Sequence, residues 1–465
     1  MKKVLFIILI HWIYSVSIIS QCLDLGIEFT TQAEIDNFKT NYPGCTQITG
    51  PIIITGDEIT NLNGLNEITH MGQINIQNTS SLRTLQGLKS VKEALIIALY
   101  NNSALQSLEG LDSLTSVEFL LVIQENDSLV NLSGLNSLKE SFALYITANL
   151  ALENLNGLDE LIHIQNLAID ANPLLTNLVG MPKLDTLASL QISNNDGLLN
   201  LTGLENINTM QNTVSIFRNP SLNSLTAFSN LYYLGKKLEI FENPSLTSFN
   251  GLNSLVQIGG EFIIKNNPLL QNFQGLNSLQ YIGSNTDISH NVALQNLNGL
   301  ESVHVMKDNI YITDNDALTS LSGLDNIDPL YINHITLNHN PTLTFCAIES
   351  VCSFLANEEN SQFIIDNDTG CNTADQVRNS CTVPVQILNE TSIQLFPNPT
   401  SGKLEIIGDD LNKNIINVTD SQGRTIKDFF YQESSIDLSN LPNGIYFISF
   451  IFENTRIVKR VVKGI

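Results

Sequence analysis

Apolar positions recur along this chain in one frame. From Leu121 to Leu135, Leu121 and Ile123 alternate with Val122, Asn126 follows, and Leu129, Leu132 and Leu135 come at intervals of three. The alternating run reads as a short strand with Leu121 and Ile123 inward, and the asparagine marks a bend. The frame returns as Leu144/Ile146/Asn149, Leu167/Ile169/Asn172, Leu190/Ile192/Asn195, Val214/Ile216/Asn219, Leu238/Ile240/Asn243 and Phe262/Ile264/Asn267. Thr286/Ile288/Asn291, Ile310/Ile312/Asn315 and Ile335/Leu337/Asn340 continue it. A Leu-x-Gly-Leu phrase sets a second column through Gly64, Gly87, Gly110, Gly134, Gly157, Gly180, Gly203, Ala227, Gly251, Gly275, Gly299, Gly323 and Ala347, at intervals of 23 or 24 residues. A fixed period of this size is the signature of a solenoid, each repeat forming one coil of a stack. The expected fold is mainly β: a right-handed parallel β-helix of about 13 coils over residues 51–345, with strands about 4.8 Å apart.

The asparagine column runs Asn102, Asn126, Asn149, Asn172, Asn195, Asn219, Asn243, Asn267, Asn291, Asn315 and Asn340, with Thr79 and Gly56 in its place in the first coils. Asparagine tolerates left-handed backbone, and its amide donates and accepts at once, so the column is expected to be a buried ladder that satisfies the bends. The repeated glycine is expected to mark a tight corner.

A solenoid leaves an apolar cross-section open at each end, so the ends need covering. Cys22 and Cys45 precede the repeats, while Cys346, Cys352, Cys371 and Cys381 follow them. An even number of cysteines, gathered at the ends, predicts disulfide-stapled caps over residues 21–50 and 346–383 and an oxidising compartment. Cys22 is expected to pair with Cys45; the other four allow three pairings. The alternative, a zinc site, lacks a Cys-x-x-Cys pair. Residues 1–20 read as a secretory signal: Lys2 and Lys3, then an apolar run from Val4 that His11 interrupts, with cleavage after Ser20. The other reading is a retained anchor; no later segment approaches the roughly 20 apolar residues of a membrane span.

The formal net charge of −24 argues against nucleic acid and anionic membranes as partners. Asp366-Asn367-Asp368-Thr369-Gly370 has the start of a calcium loop but no following bidentate glutamate, and reads as a turn. No cofactor or metal is expected.

After Cys381 the period stops. A linker over 384–390 leads to strand-like runs at Lys403–Ile407, Ile415–Thr419, Ile445–Ile451 and Arg456–Lys463, separated by turns such as Leu441-Pro-Asn-Gly444. Several short strands in about 75 residues predict a small β-sandwich over 391–465. The motifs Leu395-Phe-Pro-Asn-Pro-Thr-Ser-Gly402, Val418-Thr-Asp-Ser-Gln-Gly-Arg424, Leu438-Ser-Asn-Leu-Pro-Asn-Gly-Ile-Tyr446 and Lys459-Arg-Val-Val-Lys463 closely resemble the type A C-terminal sorting domain of the type IX secretion system. The resemblance implies a bacterium of the Bacteroidota type, export across the outer membrane by the type IX machinery, and removal of the domain at the surface.

The strand–Asn–leucine order is also similar to a leucine-rich repeat. The apolar residue three positions after the Asn (Asn126 to Leu129), with segments such as Leu255-Val-Gln-Ile-Gly259 and Leu279-Gln-Tyr-Ile-Gly283, instead resembles the receptor L-domain, a β-helical ligand-binding unit. That likeness spans about Cys22 to Cys381 and implies a fold, not a ligand.

No nucleophile elbow, phosphate loop, His-Glu-x-x-His or dinucleotide fingerprint appears. His290 and His339 share an outward column two coils apart and read as surface positions. Alternation puts Ala98/Tyr100, Val122/Gln124, Tyr145/Thr147, Ala168/Asp170, Gln191/Ser193, Ser215/Phe217, Glu239/Phe241, Ile263/Lys265, Asp287/Ser289 and Tyr311/Thr313 on the outer face. Its acids are isolated, so no catalytic residue is assigned. Phe217 and Phe241 fall in one column on adjacent coils, flanked by Arg218, Glu239 and Lys265. They are either a cross-strand pair or a recognition patch for a protein or glycan. The expectation is a non-enzymatic exported binding or adhesion protein. A polysaccharide-active β-helical enzyme and a structural surface spacer are the alternatives.

Overall fold

The computed structural model describes residues 21–381, 394–407, 415–420, 425–430, 435–452 and 455–464. The expected signal (1–20) and linker (384–390) lie outside the described residues. The chain divides into two compact units, one ending at Cys381 and the other beginning at Thr382.

The first unit is a parallel β-solenoid of about 14 turns. One 16-stranded sheet runs its length, its main strands following in chain order from Gln47–Thr55 to Ser361–Ile365. The inward pairs hold: Leu121 and Ile123, Leu190 and Ile192, Leu238 and Ile240 are all buried in a single core with the three-spaced leucines.

The repeat length decides how each coil is drawn. Coils at the 23-residue interval carry one eight-residue strand, as at His70–Gln77, Glu140–Thr147 and His163–Asp170. The step from Asn102 to Asn126 is 24 residues, and its surplus residue becomes a β-bulge in Ser116–Gln124, where register slips between Val117 and Leu120. After Asn195 the interval is 24 residues for several coils. There the strand breaks in two, and the pieces Thr209–Met210, Tyr233–Leu234, Gln257–Ile258, Tyr281–Ile282 and Val305–Met306 form a second, 5-stranded parallel sheet. One extra residue cannot stay in a ladder, so it goes into either a bulge or a corner.

The asparagine ladder forms as expected. Asn219 Oδ1 accepts from the Asn195 backbone amide at 3.1 Å and from Asn195 Nδ2 at 3.3 Å. Its own Nδ2 donates to the carbonyls of Ile192 (3.1 Å) and Phe217 (3.0 Å). One expectation needs correction: the left-handed residue is not the asparagine but the one before it. Asn101, Glu125, Ala148, Ala171, Arg218, Glu242, His290, Asp314 and His339 all have φ between +50° and +58°. That residue turns the chain, and the turn swings the following asparagine inward to reach the next rung.

The glycine column takes two forms. From Gly110 through Gly323 its glycines have φ between +109° and +139°, and a Cβ on Gly251 would stand 2.2 Å from the Leu225 carbonyl oxygen of the coil before. At Gly64, Gly87 and Ala227 the same phrase instead winds into a 3-10 turn, at Asn63–Leu65, Gln86–Leu88 and Thr226–Phe228. Ala227 is tolerated because its φ stays negative there.

Both ends are capped. At the first, the short helices Gln32–Asp36 and Phe38–Asn41 bury Ile35 and Phe38 against Phe29. Thr31 and Glu34 close a capping box on the first helix. At the other end, helix Glu349–Leu355 leads to a further coil, strand Ser361–Ile365, and then helix Ala374–Cys381. The repeat therefore continues past residue 345, into the segment expected as cap alone. Cys22 bonds Cys45, Cys346 bonds Cys371 and Cys352 bonds Cys381, with Cα–Cα separations of 5.7, 5.9 and 5.6 Å. Each closes a loop of about one coil, worth roughly 3 kcal/mol by loop closure.

The second unit holds two antiparallel sheets. One joins Gln394–Phe396, Lys403–Ile407 and Ser435–Asp437; the other joins Thr425–Phe430, Ile415–Asp420, Gly444–Phe452 and Thr455–Lys463. Leu404, Ile436, Val418, Ile448 and Val461, drawn from both sheets, share one core.

Candidate binding surface

The outer face of the long sheet is where the repeat places its variable residues. The structure brings the five predicted site residues together there: Phe217, then Glu239 and Phe241, then Lys265 on three neighbouring strands, with Arg218 at the turn that ends the first. The rings of Phe217 and Phe241 stack with centroids 4.6 Å apart and planes 5° from parallel. Both are half-buried, so the pair covers itself as well as presenting an edge. The charges around it are matched one to one. Arg218 Nε donates to Glu242 at 2.6 Å, Glu239 takes Lys237 at 3.0 Å and the Ser215 hydroxyl at 2.8 Å, and Lys265 pairs with Asp287.

Next to this patch the face dips. Small residues at Ala168, Ser189 and Ser215 floor a shallow groove of about 460 Å³, with Tyr145, Asp170 and Gln191 among its walls. Asp170 is held by the Ser193 hydroxyl (2.6 Å) and the Asn194 amide (2.7 Å). Not every outward position is open: Ala98 and Val122, expected on the surface and paired across adjacent strands, are buried. Ser193 and Ser289 are buried too.

The stronger irregularity lies in earlier coils and was not singled out in the sequence. The bulge in Ser116–Gln124 sets two residues, Glu118 and Phe119, opposite the single Phe142 of the next strand, with Leu95 on the other side. Leu95, Phe119 and Phe142 are 41, 50 and 54% exposed. The one 24-residue step among 23-residue coils was the signal that could have found them.

His290 and His339 stand at exposed left-handed positions, as expected of surface residues, with Asp314 between them at 3.7 and 3.6 Å and Asp366 beyond His339 at 3.2 Å. Among the described residues no group of three or more His, Cys, Asp or Glu is placed to hold a metal ion. Asp366–Gly370 is a turn, and its Asn367 proves to be the last rung of the asparagine ladder.

In the second unit the motifs read from sequence meet in space. Asn398 of the Pro-Asn-Pro turn donates to the Arg460 carbonyl at 2.8 Å and accepts from the Val462 amide at 2.9 Å. Lys463 Nζ donates to the carbonyls of Ser439 and Leu441, and the Tyr446 hydroxyl donates to Pro442 at 2.6 Å. A Cβ on Gly402 would lie 2.5 Å from the Ser439 hydroxyl. The Pro-Asn-Pro turn, the Leu-Pro-Asn-Gly phrase and the basic last strand are thus one interlocked structure.

Residues 394–464 match the family described as a secretion system C-terminal sorting domain. No curated protein matches the chain. The C-terminal unit is a type IX sorting domain, and the protein is exported to the outer cell surface or the extracellular space. No helix among the described residues is long and apolar enough to cross a membrane.

Proposed function

We propose that this chain is an exported binding or adhesion protein without catalytic chemistry of its own, and that its solenoid presents the outer sheet face to a protein or glycan ligand. The observation that carries this reading is the division of labour along the coil. The leucines, asparagines and glycines repeat and are buried, while the outer columns vary from coil to coil and hold the Phe217–Phe241 stack and the Tyr145–Ser215 groove. The likeness of the Leu-Val-Gln-Ile-Gly and Leu-Gln-Tyr-Ile-Gly segments to the receptor L-domain supports a recognition role. Against an enzyme at the Phe217–Phe241 patch and its groove stands the pairing of the acids there: Glu239, Asp287 and Asp170 each answer to a cation or to hydroxyl and amide donors, not to a second carboxylate.

The test is a glycan and protein array probed with the full chain, alongside a reducing-sugar release assay on any glycan it binds. The expected result is a discrete set of ligands, no sugar release, and weaker binding by the Phe217→Ser/Phe241→Ser variant at unchanged fold. Sugar release would overturn the non-enzymatic reading. An array with no ligand at all would overturn the binding reading.

A further inference from the structure

The bulged coil carries a second surface, distinct from the Phe217–Phe241 patch. Two grooves of about 480 and 270 Å³ meet at Glu93, Ser116 and Glu118 and run across the strands that start at His70, Glu93, Ser116, Glu140 and His163. Three carboxylates, Glu93, Glu118 and Glu140, line the larger groove, and His163 is the one side chain there able to carry positive charge. Glu93 has His70 at 3.6 Å. Among the described residues, Glu118 and Glu140 have neither an ion-pair nor a side-chain hydrogen-bond partner. Leu95, Phe119 and Phe142 stand exposed over the same strands, with Phe142 itself in the groove wall.

A bulge re-aims side chains and is not needed to stack coils, since the neighbouring coils stack without one. Here the surplus residue puts a ring and a carboxylate on the face together. Exposed apolar side chains beside unpaired acid define the complement: apolar side chains to pack against Leu95, Phe119 and Phe142, and cations to meet Glu118 and Glu140. We propose that this groove docks a basic, apolar peptide segment of a partner protein. The proposal rests on reading the solenoid as a binding surface and names the partner class for its early coils. A neutral glycan would offer the carboxylates hydroxyl donors but no opposite charge, and a second copy of this acidic chain would bring like charge to them.

The experiment measures binding of a labelled alternating Lys–Val peptide to the full chain by fluorescence anisotropy. A Glu–Val peptide of equal length and a soluble β-glucan oligomer serve as competitors. The long-range attraction of a −24 chain is controlled by comparing Glu118→Gln/Glu140→Gln with Asp127→Asn/Glu153→Gln, which removes the same charge away from the groove. The groove variant is expected to weaken binding about tenfold and to flatten its salt dependence, and the control pair to change it by less than about twofold. Phe142→Ser should weaken binding at high salt, where the charge contribution is screened. Equal losses in the two double variants, or displacement by the glucan, would overturn the proposal. Array ligands retained by the groove variant would leave the general binding reading standing, so the two can fail separately. Self-association lost on Phe142→Ser would assign the groove to a second copy instead.

Discussion

Asn340 gives both its backbone amide and its side-chain Nδ2 to a single acceptor, Asn367 Oδ1, at 3.1 and 3.0 Å. The same pair of hydrogen bonds joins Asn195 to Asn219, and between them every rung keeps at least the backbone-amide bond, so one hydrogen-bonded line passes through the solenoid from Thr79 to Asn367. Asn367 lies 27 residues beyond Asn340 because helix Glu349–Leu355 is inserted in that coil.

Breaking a middle rung should be expensive. Asn219→Leu leaves the Asn195 amides without their acceptor and two carbonyls without their donor, at about 1–3 kcal/mol for each group left unpaired. We expect a loss on the order of 3 kcal/mol or more in urea unfolding. Asn223→Ala, at an exposed position of the same coil, should stay within about 0.5 kcal/mol of wild type.

Gly251→Ala forces an L side chain into φ +114° and drives its Cβ toward the Leu225 carbonyl. The expected loss is roughly 3 kcal/mol, the conformational penalty together with a backbone shift. Ala227→Gly, in the 3-10 form of the same corner, should change stability by less than about 1 kcal/mol. Equal effects at the two sites would show that the two corner forms do not differ in their demand for glycine.

Thr286 takes an inward strand position that other coils fill with Leu, Ile, Val or Phe, and its hydroxyl is buried without a partner. Thr286→Val keeps the shape and removes that unpaired group. Thermal unfolding should show a gain of about 1 kcal/mol. A loss would mean that the hydroxyl is satisfied in solution.

Glu34 accepts the backbone amides of Thr30 at 2.7 Å and Thr31 at 3.0 Å, and these bonds hold its carboxyl below the usual range. A depressed folded value means that its contribution is present above the unfolded carboxylate range and is lost as pH falls through the folded value. The urea midpoints of wild type and Glu34→Gln should therefore differ near neutral pH and converge as pH falls below the lowered folded value of the carboxyl. A difference independent of pH would assign the effect to shape rather than to the charged cap.

Legibility followed periodicity. Leu121/Ile123 and its successors were readable as inward pairs because burial of alternate residues imposes period two, and the 23–24-residue step fixed the stacking. The tail motifs were readable because each is a turn or strand end with narrow chemical demands, as Asn398 and Gly402 show. The candidate surfaces were only half readable. Phe217 and Phe241 could be placed in one column, but their stacking and the partners of Arg218 and Lys265 depend on side-chain geometry that spacing does not encode. Glu118 and Phe119 were missed because alternation assigns a face only while register holds, and a bulge breaks register.

By itself the sequence determined a parallel β-solenoid with stapled ends and a sorting domain, since repeated burial of leucine, asparagine and glycine leaves few other ways to satisfy backbone and core together. Tertiary structure decided the rest. It chose Cys346–Cys371 and Cys352–Cys381 among pairings that spacing allows equally, because only folding brings particular sulfurs within bonding distance. It also decided where each surplus residue goes, as a bulge beside Phe142 or a corner at Gly259, because that depends on what the neighbouring coil can pack against.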